Sequence, residues 1–142
     1  MDVLDTRDLE EELTALEEPC KAWAALTAEQ EEARQDEYPG LEAISRYGEL
    51  CELREALDGC GWEYGIQLIP VRDFTEYAQE LAEATHPAFW DAGHPDTPMM
   101  GNERLIDSWP LNCIDWEDSA RELRRDYTPI RFDGADYYWR EA

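Results

Sequence analysis

Apolar side chains return every three or four residues along most of this chain. Between Asp5 and Glu18, Leu9, Leu13 and Leu16 fall at i, i+4 and i+7, the period of one helix face, and Pro19 is expected to end that helix. Thr27-Ala28-Glu29-Gln30 has the form of a capping box, in which Thr27 and Gln30 satisfy each other's orphan amides. It predicts a short second helix that fades before the turn at Pro39-Gly40. The clearest stripe is Leu41, Ile44, Tyr47, Leu50, Leu53 and Leu57, a third helix that Gly59 stops. Glu42, Glu49, Glu52 and Glu55 are left mainly for its other faces.

Trp62 to Val71 is ambiguous between strand and loop, because its apolar run is short and Gly65 interrupts it. A fourth helix, Asp73 to Ala84, turns Phe74, Tyr77, Ala78, Leu81 and Ala82 inward and presents Asp73, Glu76, Glu80 and Glu83 outward. From Thr85 to Met100 the prolines at 87, 95 and 98 and Gly93 predict a long loop. A fifth helix starts at Asp115, a good N-cap, with Trp116, Ala120, Leu123 and Tyr127 on one side. Asp133-Gly134 between two β-prone runs (Thr128 to Trp139) reads as a hairpin with a type I′ turn. The expected fold class is α+β, helix-rich and elongated, with a small C-terminal antiparallel sheet or hairpin. An acidic helical segment is expected over residues 1–40 and an α+β region over 41–142.

Charge changes the picture more than any motif. The chain has 142 residues with 35 Asp or Glu against 12 Lys or Arg, a formal net charge of −23. Residues 1–65 carry 19 acids to 5 bases and residues 66–142 carry 16 to 7, so no terminal tail holds the excess. Six Trp, seven Tyr and three Phe are too many large side chains for a disordered acidic tail. Nucleic acids and anionic membrane surfaces are repelled by such a charge, so the expected partner is basic. The acidic start, unlike a secretory leader, and the lack of a long apolar run point to the cytoplasm of a host cell. There Cys20, Cys51, Cys60 and Cys113 are expected as reduced core thiols.

The acids recur at helical spacing. Residues three or four apart on a helix have Cβ atoms about 5–6 Å apart. Phosphates along one DNA strand advance ~3.4 Å per nucleotide along the axis, giving through-space separations of similar scale. Asp73, Glu76, Glu80, Glu83, Glu117, Asp118 and Glu122 are therefore candidate phosphate stand-ins, with Glu42, Glu49, Glu52 and Glu55 as a second row. Neighbouring like charges destabilise a helix by roughly 0.2–0.5 kcal/mol per pair, so keeping them calls for a compensating role. The plainer reading is a solvated face that only maintains solubility, for which a net charge of magnitude ~2–8 suffices.

Other chemistry is weakly signalled. His86 and His94 lie near Asp91 and Asp96, a combination that suits a transition metal, but the spacing matches no defined site. Cys60 or Cys113 with His86 or His94 would make a nucleophile–base pair only if the fold brought them together. No phosphate loop, dinucleotide fingerprint, nucleophile elbow or zinc-protease helix motif is present. No enzyme and no cofactor are expected. The aromatics Trp109, Trp116, Tyr127, Phe132, Tyr137, Tyr138 and Trp139 are expected to pack the last helix onto the hairpin, with an exposed interface anchor as the alternative.

The stretches Tyr47–Leu57 (YGELCELREAL), Asp73–Glu83 (DFTEYAQELAE) and Ile114–Leu123 (IDWEDSAREL), with the terminal FDGADYYW run, resemble the ArdA family of antirestriction proteins. These proteins are carried by phages and mobile elements. The likeness covers about residues 41–142; the first forty read as acidic helices where the family begins with a strand-containing module. It implies an acidic, elongated mimic of bent B-form DNA that binds type I restriction–modification enzymes without a catalytic residue. A homodimer is among the states it implies. The expected function is thus a DNA-mimic inhibitor of a host defence complex, a type I restriction–modification enzyme or a CRISPR effector. Its partner would be a basic DNA-binding protein or complex of a bacterial defence system. The rival is an acidic adaptor or antitoxin-like module that neutralises a basic protein without imitating DNA.

Overall fold

The computed structural model describes residues 1–90 and 104–142. In chain order the elements are β1 (Leu4–Asp5), α1 (Thr6–Ala24), α2 (Ala28–Ala33), α3 (Leu41–Ala56), β2 (Gln67–Pro70), α4 (Phe74–Thr85), α5 (Pro87–Trp90), α6 (Trp116–Leu123), β3 (Thr128–Phe132) and β4 (Ala135–Trp139). The fold is α+β. Its four strands form one antiparallel sheet in the order β1-β2-β4-β3. The C-terminal hairpin is present, and two short strands from earlier in the chain extend it.

Side chains of a strand alternate between its two faces, and here both faces are covered. Leu68 of β2 joins Leu9 and Leu13 of α1, Leu50 and Leu53 of α3 and Leu57 at its C-terminal cap in a first core, with Trp62 and Phe132. The next residue, Ile69, joins Phe74 and Ala78 of α4, Ala120 of α6 and Tyr127 in a second. β4 repeats the alternation: Tyr137 and Trp139 pack on the first core and Tyr138 on the second. The molecule is therefore a sheet between two helix pairs, α1 with α3 on one face and α4 with α6 on the other. Residues on both sides of position 40 fill the first core.

Several expectations are corrected in detail. Pro19 lies inside α1 and does not end it. One missing N–H is tolerated because the last turn is held from outside, by buried Cys20 against α3 and by Trp23 on Tyr38, ring centroids 5.0 Å apart. The apolar stripe of α3 overruns its core: Leu50, Leu53 and Leu57 are buried, whereas Leu41 is 74% exposed. Periodicity reports which side of a helix faces inward, not how far along it the core extends. Trp62 to Val71 resolves into a 3-10 turn at Trp62–Tyr64 followed by β2. Gly65 between them has φ +92, and a Cβ there would meet the Arg7 guanidinium. The expected loop from Thr85 begins as α5, and its residues 91–100 lie outside those described. The inward position of Tyr127 holds although α6 ends at Leu123, because a 3-10 turn at Arg124–Asp126 carries it there.

Local signals elsewhere are met. Thr27 and Gln30 form the reciprocal capping box, and Asp115 accepts from the amides of Glu117 and Asp118. Asp133 and Gly134 have φ +51 and +73, the two positive values a type I′ turn requires. Pro129, which removes a donor in mid-strand, is on the outermost strand, opposite Tyr138, where proline is best tolerated. The four cysteines are free; Cys20 is buried, but Cys113 is exposed rather than in the core.

Thr6 fastens α1 to the sheet. Its buried hydroxyl donates to the Trp62 carbonyl at 2.7 Å and accepts from the Ile66 amide at 2.8 Å. Thr6→Val keeps the volume, strips the Ile66 amide of its partner and leaves the Trp62 carbonyl only the longer bond from the Gly65 amide, which is expected to lower stability by about 1–3 kcal/mol. Urea unfolding should show a lower midpoint with an unchanged slope.

Candidate functional site

The candidate carboxylates occupy two regions. Glu76, Glu80 and Glu83 line the outer side of α4, and Glu117, Asp118 and Glu122 stand on its neighbour α6; all six are exposed. At 1.5 Å per residue, Glu76 to Glu83 spans about 10.5 Å, close to the ~10 Å that three nucleotides advance. Asp73, at the N-terminal end of α4, is only half-exposed and lies 3.8 Å from Arg72. The second row lies on α3, across the sheet from α4. Glu42, Glu52 and Glu55 are exposed there and Glu49 is half-buried. The two rows therefore sit on opposite helix layers rather than side by side.

Guanidiniums neutralise part of the first row. Asp118 pairs with Arg121 and Glu122 with Arg125, each across one helical turn. Glu117 and Asp118 also sit in the first turn of α6, where the helix dipole favours negative charge. Glu76, Glu80, Glu83 and Glu117, and all four acids of the α3 row, have no ion pair among the described residues. Within the two candidate rows, α4 and α3 thus carry most of the acids that lie outside an ion pair among the described residues.

A group of residues that the sequence pattern did not single out joins the α3 row. Arg46 of α3 donates from Nε to Glu12 of α1 at 2.7 Å, and its Nη1 lies 3.3 Å from Asp133 in the hairpin turn. Its guanidinium also covers the Phe132 ring, 5.0 Å from the centroid. One cation thus ties α1, α3 and the hairpin together, and it brings Glu12 and Asp133 beside Glu42 and Glu49. Glu12 and Arg46 are 34 residues apart, so no local spacing announces the pair, and Asp133 reads from sequence only as a turn residue. The Arg46 hydrogen bond holds the Glu12 carboxyl below the usual carboxylate range, against a smaller opposing effect of burial.

No protein-family model, curated protein or solved structure matches the chain.

The other candidate chemistry stays dispersed. His86 is an exposed residue just past α4, while His94, Asp91 and Asp96 lie outside the described residues. Among the described residues no group of three or more His, Cys, Asp or Glu is arranged to hold a metal ion, and no helix is long and apolar enough to cross a membrane. Most of the C-terminal aromatics pack as expected: Tyr127 and Phe132 are buried, and Tyr137, Tyr138 and Trp139 lie against the cores. Trp116 is half-buried against Trp90, ring centroids 6.0 Å apart. Trp109 departs from the pattern at 82% exposed, on a segment that packs on neither core.

Two outcomes are expected. Glu80 faces Glu76 one turn before and Glu83 one turn after, so Glu80→Gln should raise stability by about 0.2–0.5 kcal/mol, measured at low salt where repulsion is least screened. A carboxylate with a depressed folded-state pKa binds fewer protons folded than unfolded, so it stabilises above its unfolded pKa and that contribution fades as pH falls through the folded value. The stability difference between the wild type and Arg46→Met should therefore be largest above about pH 5 and shrink on acidification below the ordinary Glu value of 4.5. Paired denaturation curves across that range check it.

Proposed function

We propose that this protein is a DNA-mimic inhibitor of a nucleic-acid-binding host defence complex, a type I restriction–modification enzyme or a CRISPR effector. It occupies the positively charged duplex channel and excludes DNA by charge and shape. The observation that carries the reading is the ridge Glu76, Glu80 and Glu83. These are three exposed carboxylates without ion pairs, spaced at helical intervals on a helix whose opposite side is anchored by Phe74 and Ala78. An ordered ridge matters because a rigid array of charges displaces the counterions of a basic groove without first losing conformational freedom. A net charge of −23 further speeds encounter with a cationic surface. The protein carries no catalytic step in this reading, and its cellular site is the host cytoplasm.

A second reading has an observation in its favour. Asp118 and Glu122 are already engaged by Arg121 and Arg125, and the α3 row lies on the other helix layer, so a single flat channel wall does not meet every acid. An acidic adaptor or antitoxin-like module that neutralises a basic protein needs no continuous DNA-like relief.

Competition separates the two. The inhibited complex should lose duplex binding at saturating inhibitor, and its affinity for the protein should fall steeply as salt rises. Normal duplex binding under saturation would falsify the mimicry. A charge-reversal scan is the second measurement: mimicry gives many small, spread losses, and a local adaptor interface gives a few dominant ones.

A further inference from the structure

Beside the Arg46 tie, a groove of about 710 Å³ runs between α1, the first half of α3 and the hairpin turn. Its apolar lining comes from Ala15, Leu16, Leu41 and Ala43. Leu41 is the least buried leucine of the α3 stripe, standing open to water in the wall of this groove. Glu12, Glu42, Glu49 and Asp133 stand around it with Arg46 as the one cation in the lining. Arg46 is already engaged by Glu12 and Asp133, which leaves Glu42 and Glu49 outside any ion pair among the described residues, Glu49 within the electrostatic reach of Arg46. A smaller groove of about 390 Å³ adjoins it, sharing Glu49 and Asp133 and reaching Glu52.

The charge selects the occupant. Nucleic acid, an anionic membrane and a second copy of this chain, itself at −23, are all repelled from such a rim. A free polyamine answers the charge, but the short methylene runs between its ammonium groups offer no branched apolar side chain to seat against Leu16 and Leu41. A protein segment with an apolar side chain between lysines or arginines answers both, because the long cationic side chains lay their methylenes along apolar surface and carry their charge to the rim. We infer that this groove takes a cationic amphipathic segment of the protein partner, one apolar side chain seated against Leu16 and Leu41 and flanking Lys or Arg paired with Glu42 and Glu49. The inference rests on the proposed function for the nature of that partner, and it adds an anchoring contact that persists in salt, where charge pairing alone weakens.

The probe is a short helical leucine–lysine peptide, titrated into the full chain by fluorescence anisotropy at about 0.3 M salt, where the Debye length is well below 10 Å. Its leucine-to-serine analogue of equal charge and spermine are the comparisons. The leucine–lysine peptide should bind about tenfold or more tighter than its analogue, the gain expected from burying one apolar side chain. Leu41→Ser, at an exposed position that the core does not use, should remove that advantage. Glu42→Gln with Glu49→Gln should weaken both peptides. Equal binding of the analogue or of spermine overturns the inference, as does a peptide affinity that Leu41→Ser leaves unchanged. A dimer of the free chain that Leu41→Ser dissociates also overturns it, by making the groove a self-interface. Duplex competition that survives Leu41→Ser at the affinity of the wild type counts against the groove alone. Absence of competition alongside leucine-dependent peptide binding counts against DNA mimicry alone.

Discussion

Strand β2 joins the two halves of the molecule through two consecutive residues. Leu68 points into the core that α1 and α3 cover, and Ile69 points into the core that α4 and α6 cover. Both are essentially inaccessible to water, and the pairing with β4 carries the same alternation into the hairpin. The acidic helices α1, α3, α4 and α6 are each anchored on one of these two cores, while α2 buries no residue. A chain at −23 repels itself, and such repulsion favours expansion unless apolar burial opposes it. A sheet buried on both faces lets a short chain bury two apolar faces while all of its charged helix sides stay in water.

Within that frame the acids have unequal roles. Asp5 and Asp115 cap helices, and Glu10 accepts the Trp62 indole N–H at 2.8 Å, so these carboxylates are part of how the fold is held. Glu12 and Asp133 flank Arg46 and fix the hairpin turn against the first helix layer. Glu76, Glu80 and Glu83 do neither. They add repulsion to α4 and make no ion pair among the described residues, although Glu83 lies within electrostatic reach of Arg104.

Much of this was legible beforehand because it is local. Helix periods, the Thr27 capping box, the Asp115 cap and the Asp133-Gly134 turn are each specified by a few neighbouring residues, and each is found. The features that were not legible are those set by distant residues. Nothing near Pro19 shows that Cys20 and Trp23 will find partners that keep the helix going. Nothing near Leu41 shows that the core stops before it. The Glu12–Arg46–Asp133 tie joins three elements that only the folded chain brings together, so the groove beside it had no sequence signal. The placement of the two acidic rows on opposite layers follows from the Leu68–Ile69 alternation, which a four-residue strand preceded by Gly65 and ending at Pro70 does not advertise.

The central claim is that an ordered set of carboxylates stands in the place of a polynucleotide. It is tested most directly by hydrogen exchange on the target complex, recorded once with duplex DNA and once with this protein. Mimicry predicts slowed exchange in the same channel-lining segments for both ligands. Slowed exchange confined to segments that DNA leaves untouched contradicts it.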